Sequence, residues 1–361
     1  VAASKLRIAR LQDGEDPDWD QLVADSPQGN SFLRADWLRM LARTDASIRV
    51  ERYGVWDPRG RLRGGWALPL RQPFGLCFAT EYDLFYASPM LAPDLTPPAF
   101  SSRGEHDAVL SLLAQAFGND CAVIAAEAHP ALCDVRAFLD AGWSVAPVYT
   151  HVWDLDEADL ILARMNREKR REIKLGAQRY GCEQEPLSGA ALEQFLQLYR
   201  LTVHKFGLAP GTAWERGLRE RLRWMEGIDG CRLYAARTDD GRLAAAVLVL
   251  LSPDDQSAYL WRMGQDPGTA ERSAVPTLYW SVALQLREAM QQGSAIRFVN
   301  LGGSPQPSLA RFKDYLGATP TLHFRLIRRQ RSGRLRLWET QLQARALARR
   351  WRSRYRGLLA R

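Results

Sequence analysis

The sequence predicts an α/β (α+β) chain of two tandem units, each a mixed central sheet flanked by helices, followed by a basic C-terminal helix. Three observations predict it. The same order of strand-rich and helix-rich segments occurs twice along the 361 residues. Two hairpin sequences match in register at an offset of 181 residues. The end of the chain then changes character: from Arg328 onward twelve arginines stand with one acid, Glu339, whereas residues 1–327 hold 37 basic and 40 acidic residues.

The length suits two domains of ordinary size. A composition of 46% hydrophobic and 25% charged residues is that of a globular protein. No run approaches the ~18 apolar residues of a membrane-spanning helix. The N-terminal stretch VAASKLRIARL lacks the apolar core of a signal peptide. Five scattered cysteines, with no Cys-x-x-Cys pair, argue against a disulfide framework or a zinc site and read as reduced thiols. A cytoplasmic protein is therefore expected.

In the first half, SIRVERYGVWD and RLRGGWALPL are β-rich runs joined by a Pro58-Arg59-Gly60 turn. A helix follows near 104–117, then the apolar strand CAVIAAEA, a short helix in LCDVRAFLDAG and the strand WSVAPVYTHVWDL. The second half places helices near 157–180, 189–205 and 212–226 before a hairpin, CRLYAART and RLAAAVLVLL, around Asp239-Asp240-Gly241. The strand SAYLWRMG, a long helix near 274–292, the strand AIRFVNLGG, a helix over 306–316 and the strand TPTLHFRLIRR complete it. The division falls at 1–153, 154–330 and a tail of 331–361.

The repeat extends to single residues. Tyr53, Gly60, Leu62 and Leu70 correspond to Tyr234, Gly241, Leu243 and Leu251. RAFLDAGW likewise parallels ARFKDYLGA, setting Phe138 against Phe312 and Leu139 against Lys313. An internal duplication of one α/β unit accounts for both matches. Phe312, Tyr315 and Leu316 have the spacing of a buried helix face, so Lys313 is the anomaly. One copy of the unit carries leucine there, and the scaffold does not require a lysine.

A fixed cation has most value where negative charge develops in a partly dehydrated cleft, as on a carbonyl oxygen attacked by an amine. Lys313, beside an aromatic near the start of a helix, suits that role; a lysine snorkelling from an amphipathic helix is the plainer reading. No other catalytic set stands out. The histidines lack metal-ligand spacing, no Gly-x-Ser-x-Gly elbow occurs, and there is no P-loop. Asp314 and Glu81 are candidate bases. Arg167, Arg170, Arg171 and Lys174 recur on one helical face, which reads either as solvated surface or as a contact for a diphosphate-bearing acceptor or a tRNA backbone.

The element order, the sequence AVPTLYWSVALQLREAMQQG followed by FVNLGG and FKDYLGA, and the basic stretch NREKRREIKLGAQRYGCEQEP resemble the Fem-type aminoacyltransferases with tandem GNAT-like (acetyltransferase-like) domains. The likeness covers roughly residues 30–330. It implies two GNAT-like domains, the first shaping the acceptor cleft and the second catalytic. It implies acyl transfer to an amine, in the Fem case from aminoacyl-tRNA to a peptidoglycan precursor. The family's Phe-Lys pair maps onto Phe312 and Lys313, with the lysine implicated in transfer. LYRLTVHKFG is similar to the acceptor-contacting helix, with His204 and Lys205 where an arginine is common. Trp261 and Tyr279 complete the substrate-binding candidates.

No metal is implied, and the acyl donor is aminoacyl-tRNA or acyl-CoA. The segment GQDPGTAERSAVPTLYW lacks the Gln/Arg-x-x-Gly-x-Gly/Ala loop of CoA-dependent relatives, and Pro276 removes one N–H from the helix start that would receive a pyrophosphate. An acyl-CoA-dependent N-acyltransferase acting on a small amine or sugar stays open beside the Fem-type reading, as does a non-catalytic RNA- or membrane-binding protein.

In the tail, Ala344, Leu347, Ala348, Trp351, Tyr355 and Leu358 share one side at helical spacing, with Arg345, Arg349, Arg352 and Arg356 opposite. Such a helix either docks on the body, or binds tRNA, or lies on an anionic membrane surface that would present a lipid-linked precursor at the inner face of the membrane.

Overall fold

The computed structural model describes residues 6–330 apart from 13, 80–83, 98–101, 118–120, 206–210, 267–272 and 305. The basic tail and Glu81 lie outside the described residues.

The first half runs β1 (Arg7–Arg10), α1 (Asp16–Asp25), α2 (Ala35–Thr44), β2 (Arg49–Trp56), β3 (Leu62–Arg71), β4 (Phe78–Ala79), β5 (Met90–Leu91), α3 (Arg103–Ala116), β6 (Val123–Glu127), α4 (Arg136–Asp140) and β7 (Ser144–Asp154). The second half runs α5 (Ala158–Arg164), α6 (Arg167–Gly176), β8 (Tyr180–Glu185), α7 (Gly189–His204), α8 (Thr212–Glu226), β9 (Cys231–Thr238), β10 (Leu243–Ser252), β11 (Ser257–Gln265), α9 (Ala274–Gln291), β12 (Phe298–Gly303), α10 (Pro307–Tyr315) and β13 (Thr319–Arg329).

The strands form one sheet in the order β1-β2-β3-β4-β6-β13-β7-β12-β11-β10-β9-β8, with β5 on β3. The last strand of each half is exchanged. β13 pairs with β6 of the first half, and β7 pairs with β12 of the second, while β7 and β13 pair with each other from Ser144↔Ile327 to Val152↔Thr319. Where the sequence suggests two sheets, this exchange makes the sheet continuous.

The duplication is visible in register. Tyr53 pairs with Trp66 and Tyr234 with Val247, the same pairing displaced by 181 residues on both strands. Each hairpin slips at the equivalent place, between Val55 and Trp56 opposite Leu62 in one copy, and between Leu243 and Ala245 in the other. A shared register slip is a stronger sign of common construction than shared turn residues, because a bulge is a specific local geometry.

β10 is buried along its whole length and divides two cores. Ala246, Leu248 and Leu250 join the core of Phe195 and Leu196 from α7, Leu218 and Leu222 from α8 and the first half; Val247, Val249 and Leu251 join that of Ile161, Leu278 and Val282. Alternation along a strand places these cores on opposite faces of the sheet. The first core is continuous between the halves: Trp37 of α2 meets Trp224 of α8 with ring centroids 5.8 Å apart, and Phe85 meets Tyr259 at 4.4 Å.

Two local expectations are corrected. The single helix expected over 157–180 breaks at Met165 and Asn166, because the Asn166 side chain caps a new helix at the Glu168 N–H (2.8 Å) while its own N–H donates to the Tyr315 carbonyl (2.9 Å). In α10 the buried position is Lys313, with Leu316 buried just past the helix end; Phe312 is half-buried and Tyr315 exposed.

Candidate active site

β11 and β12 run parallel through three pairs, Ser257↔Phe298, Ala258↔Val299 and Tyr259↔Asn300. Past that point β11 continues beside β10, while β12 stays beside β7, with Gly303 paired to Thr150. The sheet forks there. Asn300 sits buried at the fork: Nδ2 donates to the Tyr86 hydroxyl (2.9 Å), and Oδ1 accepts from Thr150 Oγ1 (2.6 Å) and the Gly302 N–H (2.8 Å). Tyr86 therefore reaches from the first half into the base of the second half's fork. Burial raises its phenol pKa. On the other arm, Leu248 pairs with Arg262 and Val249 with Leu260, so Trp261 is the extra residue of a bulge.

Lys313 lies on the β12 side of the fork. Its Nζ donates to the carbonyls of Gly302 (2.7 Å) and Gly303 (3.0 Å), where the chain leaves β12 with Gly302 at φ +79°. These bonds use two of the three ammonium protons. Burial pulls the Lys313 pKa down to about 8.

Next to it, His151 of β7 bonds through Nε2 to Asp314 Oδ1 (3.1 Å), and its Nδ1 faces Ser304 Oγ at 3.5 Å. Burial and then the charge of Lys313 lower the His151 pKa, against the opposing pull of Asp314. A cavity of about 660 Å³ opens here, lined by His151, Ser304, Asp314, Glu127, His323 and Arg325 among others. His323 Nε2 bonds to Glu127 Oε2 at 3.1 Å, giving a second imidazole–carboxylate pair on the same cavity. Residues of both halves build it, through the exchanged strands.

The candidates named from the sequence fall in four places. Lys313, Phe312 and Tyr279 come together, with the Tyr279 and Phe312 centroids 6.4 Å apart. Tyr279 is buried in α9, and burial raises its pKa. Arg167, Arg170, Arg171 and Lys174 are exposed on α6. That helix is anchored on α10 through Asn166, and its Gly176 packs on the first turn of α9, where a Cβ would lie 2.0 Å from Thr277 Oγ1. Trp261 is separate. It joins the core on the α7 side and stacks with Arg262, whose guanidinium carbon is 4.3 Å from its ring centroid. His204 and Lys205 are exposed at the C-terminal end of α7.

Sequence reasoning missed His151, Ser304, Tyr86 and Lys169. Lys169 is the α6 cation that reaches the site, 5.6 Å over the Phe312 ring and bonded to Glu172 at 2.6 Å. The i, i+3 spacing of Lys169 and Glu172 was available as a signal. Nothing local marks His151, which gains its neighbours only through the strand exchange.

Residues 162–314 match the acetyltransferase (GNAT) domain family. No curated protein matches the sequence. Among solved structures the chain is similar to FemX, at a TM-score of 0.63 and 11% identity over 89% of this chain and 96% of that one. It is also similar to the C-terminal domain of a putative lysylphosphatidylglycerol synthetase from Agrobacterium fabrum (TM-score 0.53, 15% identity, 91% and 95% covered). A tandem GNAT protein from the clavulanic acid biosynthesis pathway matches with TM-score 0.51 and 16% identity over 90% and 98%. These likenesses establish the fold. Among the described residues no helix is long and apolar enough to cross a membrane.

Proposed function

We propose, from the premise that this chain is an acyltransferase with a GNAT domain in its second half and a Fem-like tandem fold, that it transfers an aminoacyl group from aminoacyl-tRNA to an amine of a cell-envelope precursor. The observation that carries the reading is Lys313, a buried cation at the fork of the sheet, next to a cavity that both halves line. The second half carries the chemistry and the first shapes the acceptor side.

Amine attack on the donor's ester carbonyl places negative charge on the carbonyl oxygen. Lys313 keeps one ammonium proton beyond its two backbone bonds, and in a site screened from water that cation stabilises the developing charge. The two bonds fix its position, so little reorganisation accompanies the step. The exposed cations of α6, held close to α9 and α10, suit the phosphates of a tRNA or of a diphosphate-bearing acceptor. The tail would add tRNA or anionic-membrane contact.

A second reading, transfer from acyl-CoA to a small amine or sugar, is favoured by the match of residues 162–314 to an acetyltransferase domain. One assay separates them: the chain is incubated with a nucleotide-linked peptidoglycan precursor and either radiolabelled aminoacyl-tRNA or radiolabelled acetyl-CoA. Label passing from the tRNA alone supports the first reading. Label passing from acetyl-CoA alone replaces it with the second.

A further inference from the structure

We propose that His151, oriented by Asp314, is the general base that takes the proton from the attacking amine, and that the acceptor amine enters through the cavity beside Ser304. The inference rests on the acyl-transfer reading of the same site.

The geometry has the three parts such a base needs. His151 comes from β7 of the first half, and its Nε2 is held by Asp314 of α10 at 3.1 Å. That bond leaves Nδ1 directed to Ser304 Oγ, 3.5 Å away, a long contact that a ligand can replace or bridge. Both His151 and Ser304 line the cavity of about 660 Å³, which has room for an amine and its carrier. With Asp314 accepting a proton from Nε2–H, Nδ1 is the atom carrying the lone pair. The charged groups acting on His151 are Lys313 and Asp314, both on α10. Across the β13 register it meets Pro320, and beyond the end of β12 it meets Ser304. Burial and Lys313 together keep the imidazole neutral at neutral pH, the form able to accept a proton.

The step balances within the site. The lone pair of the neutral amine forms a C–N bond to the carbonyl carbon, and the carbonyl π pair moves to oxygen beside Lys313. One N–H proton passes to His151 Nδ1, directly or through the Ser304 hydroxyl. The C–O bond to the tRNA ribose then breaks, and the leaving alkoxide takes the proton back from His151. Amide and deacylated carrier result, with His151 returned to its starting state.

The test compares two amines with aminoacyl-tRNA as donor: butylamine, a strongly basic alkylamine, and hydroxylamine, whose nitrogen is largely unprotonated near neutral pH and whose adduct loses its proton easily. His151→Gln is expected to lower kcat/KM for butylamine about 100-fold or more, to lower it several-fold at most for hydroxylamine, and to flatten the acidic limb of the pH profile. Asp314→Asn, a change at a half-exposed carboxylate that avoids disturbing the core, is expected to cost about tenfold and to move that limb to lower pH, because Asp314 raises the His151 pKa. Equal losses for both amines, or an unmoved limb, would overturn the inference. So would an acyl group trapped on Ser304 by mass spectrometry, which would make the serine a nucleophile.

A readout without turnover uses the imidazole NMR signals, readily resolved in a chain with five histidines. Butylamine is expected to shift the His151 signals and to leave those of His106, bonded to Asp107 elsewhere, in place. Unmoved His151 signals would overturn the inference. Absence of transfer to either amine by the unaltered chain would count against the acyl-transfer reading itself, and the NMR result would then decide the His151 assignment alone.

Discussion

Phe138 and Lys313 hold matching places in the two copies of the repeated unit: their carbonyls accept from the Trp143 and Ala318 N–H groups, which follow the positive-φ glycines Gly142 and Gly317. Both side chains are buried (0% and 7% exposed), whereas Leu139, which the sequence match sets against Lys313, is 51% exposed. Burying an ammonium costs free energy that two carbonyl hydrogen bonds offset only in part. Burying a phenylalanine at the matching place carries no such cost. The second copy has therefore taken on a stability penalty at a position where the first has none, and the penalty is located at the fork of the sheet.

The contrast in burial between Lys313 and the exposed Leu139 predicts opposite outcomes for a change at each. Leu139→Lys is expected to leave the thermal midpoint within about 2 °C, since exposed substitutions stay within roughly ±0.5 kcal/mol, and to leave transfer unaffected. Lys313→Leu is expected to reduce transfer by about 100-fold or more while the chain still folds, as followed by circular dichroism. Transfer by Lys313→Leu at the unaltered rate would return Lys313 to a purely structural role.

The lowered Lys313 pKa also gives pH dependences with defined signs. The unfolded chain holds this proton up to the ordinary value of 10.5, and the folded chain releases it near 8. Between those values the unfolded state binds more protons, so the Lys313 contribution to stability rises with pH. Denaturation of the unaltered chain and of Lys313→Met across pH 7–10 should differ by this slope, each pKa unit being worth about 1.4 kcal/mol. Activity should run the other way. A cation is needed on the oxyanion side, so transfer falls as pH passes 8, and Lys313→Arg should push that alkaline limb upward.

The parts of the fold legible in the sequence are those fixed by local pattern. The β9–β10 hairpin, α8 and β13 fall where alternation, helical spacing and the Asp-Asp-Gly turn place them. The strand exchange was not legible, because a sheet of either connectivity buries the same alternating faces. With it went the partners of His151, which depend on a pairing between residues more than 150 positions apart. Lys313 could be singled out as a charge within an apolar helix, although the sequence match sets it against Leu139 and the hydrogen-bond register against Phe138. Tyr315 departs from its expected place: apolar residues at 312, 315 and 316 imply one face, whereas the two carbonyls at the end of β12 hold Lys313 inward and Tyr315 is exposed.

Gly176 offers a test of how α6 is held. A methyl group there meets Thr277 Oγ1 at 2.0 Å and Thr277 Cβ at 2.9 Å on the first turn of α9. Overpacking of this kind costs about 1–3 kcal/mol, so Gly176→Ala should lower the thermal midpoint by several degrees. Gly176→Ala with Thr277→Ala, which removes the Oγ1 contact and leaves the Cβ at 2.9 Å, should recover part of the loss. Transfer should suffer beyond the stability change, because the displaced α6 also carries Lys169 off the Phe312 ring.

The exposed face of α6 separates phosphate binding from a merely solvated surface. If Arg167, Arg171 and Lys174 meet tRNA phosphates, each contact releases counterions, and the logarithm of affinity falls with the logarithm of salt concentration by about 0.7–0.9 per contact. The triple alanine variant should then bind tRNA more weakly at low salt and show a salt slope shallower by ~2–3, whatever the tRNA sequence, because phosphate contacts position the ligand without reading bases. Affinity measured by filter binding between 50 and 200 mM salt, roughly the range over which such contacts act, gives both numbers. An unchanged slope would assign this face to solvent and leave any tRNA contact to other parts of the chain. Folding should be unaffected in either case, since the three side chains are exposed and substitutions at such positions stay within about 0.5 kcal/mol each.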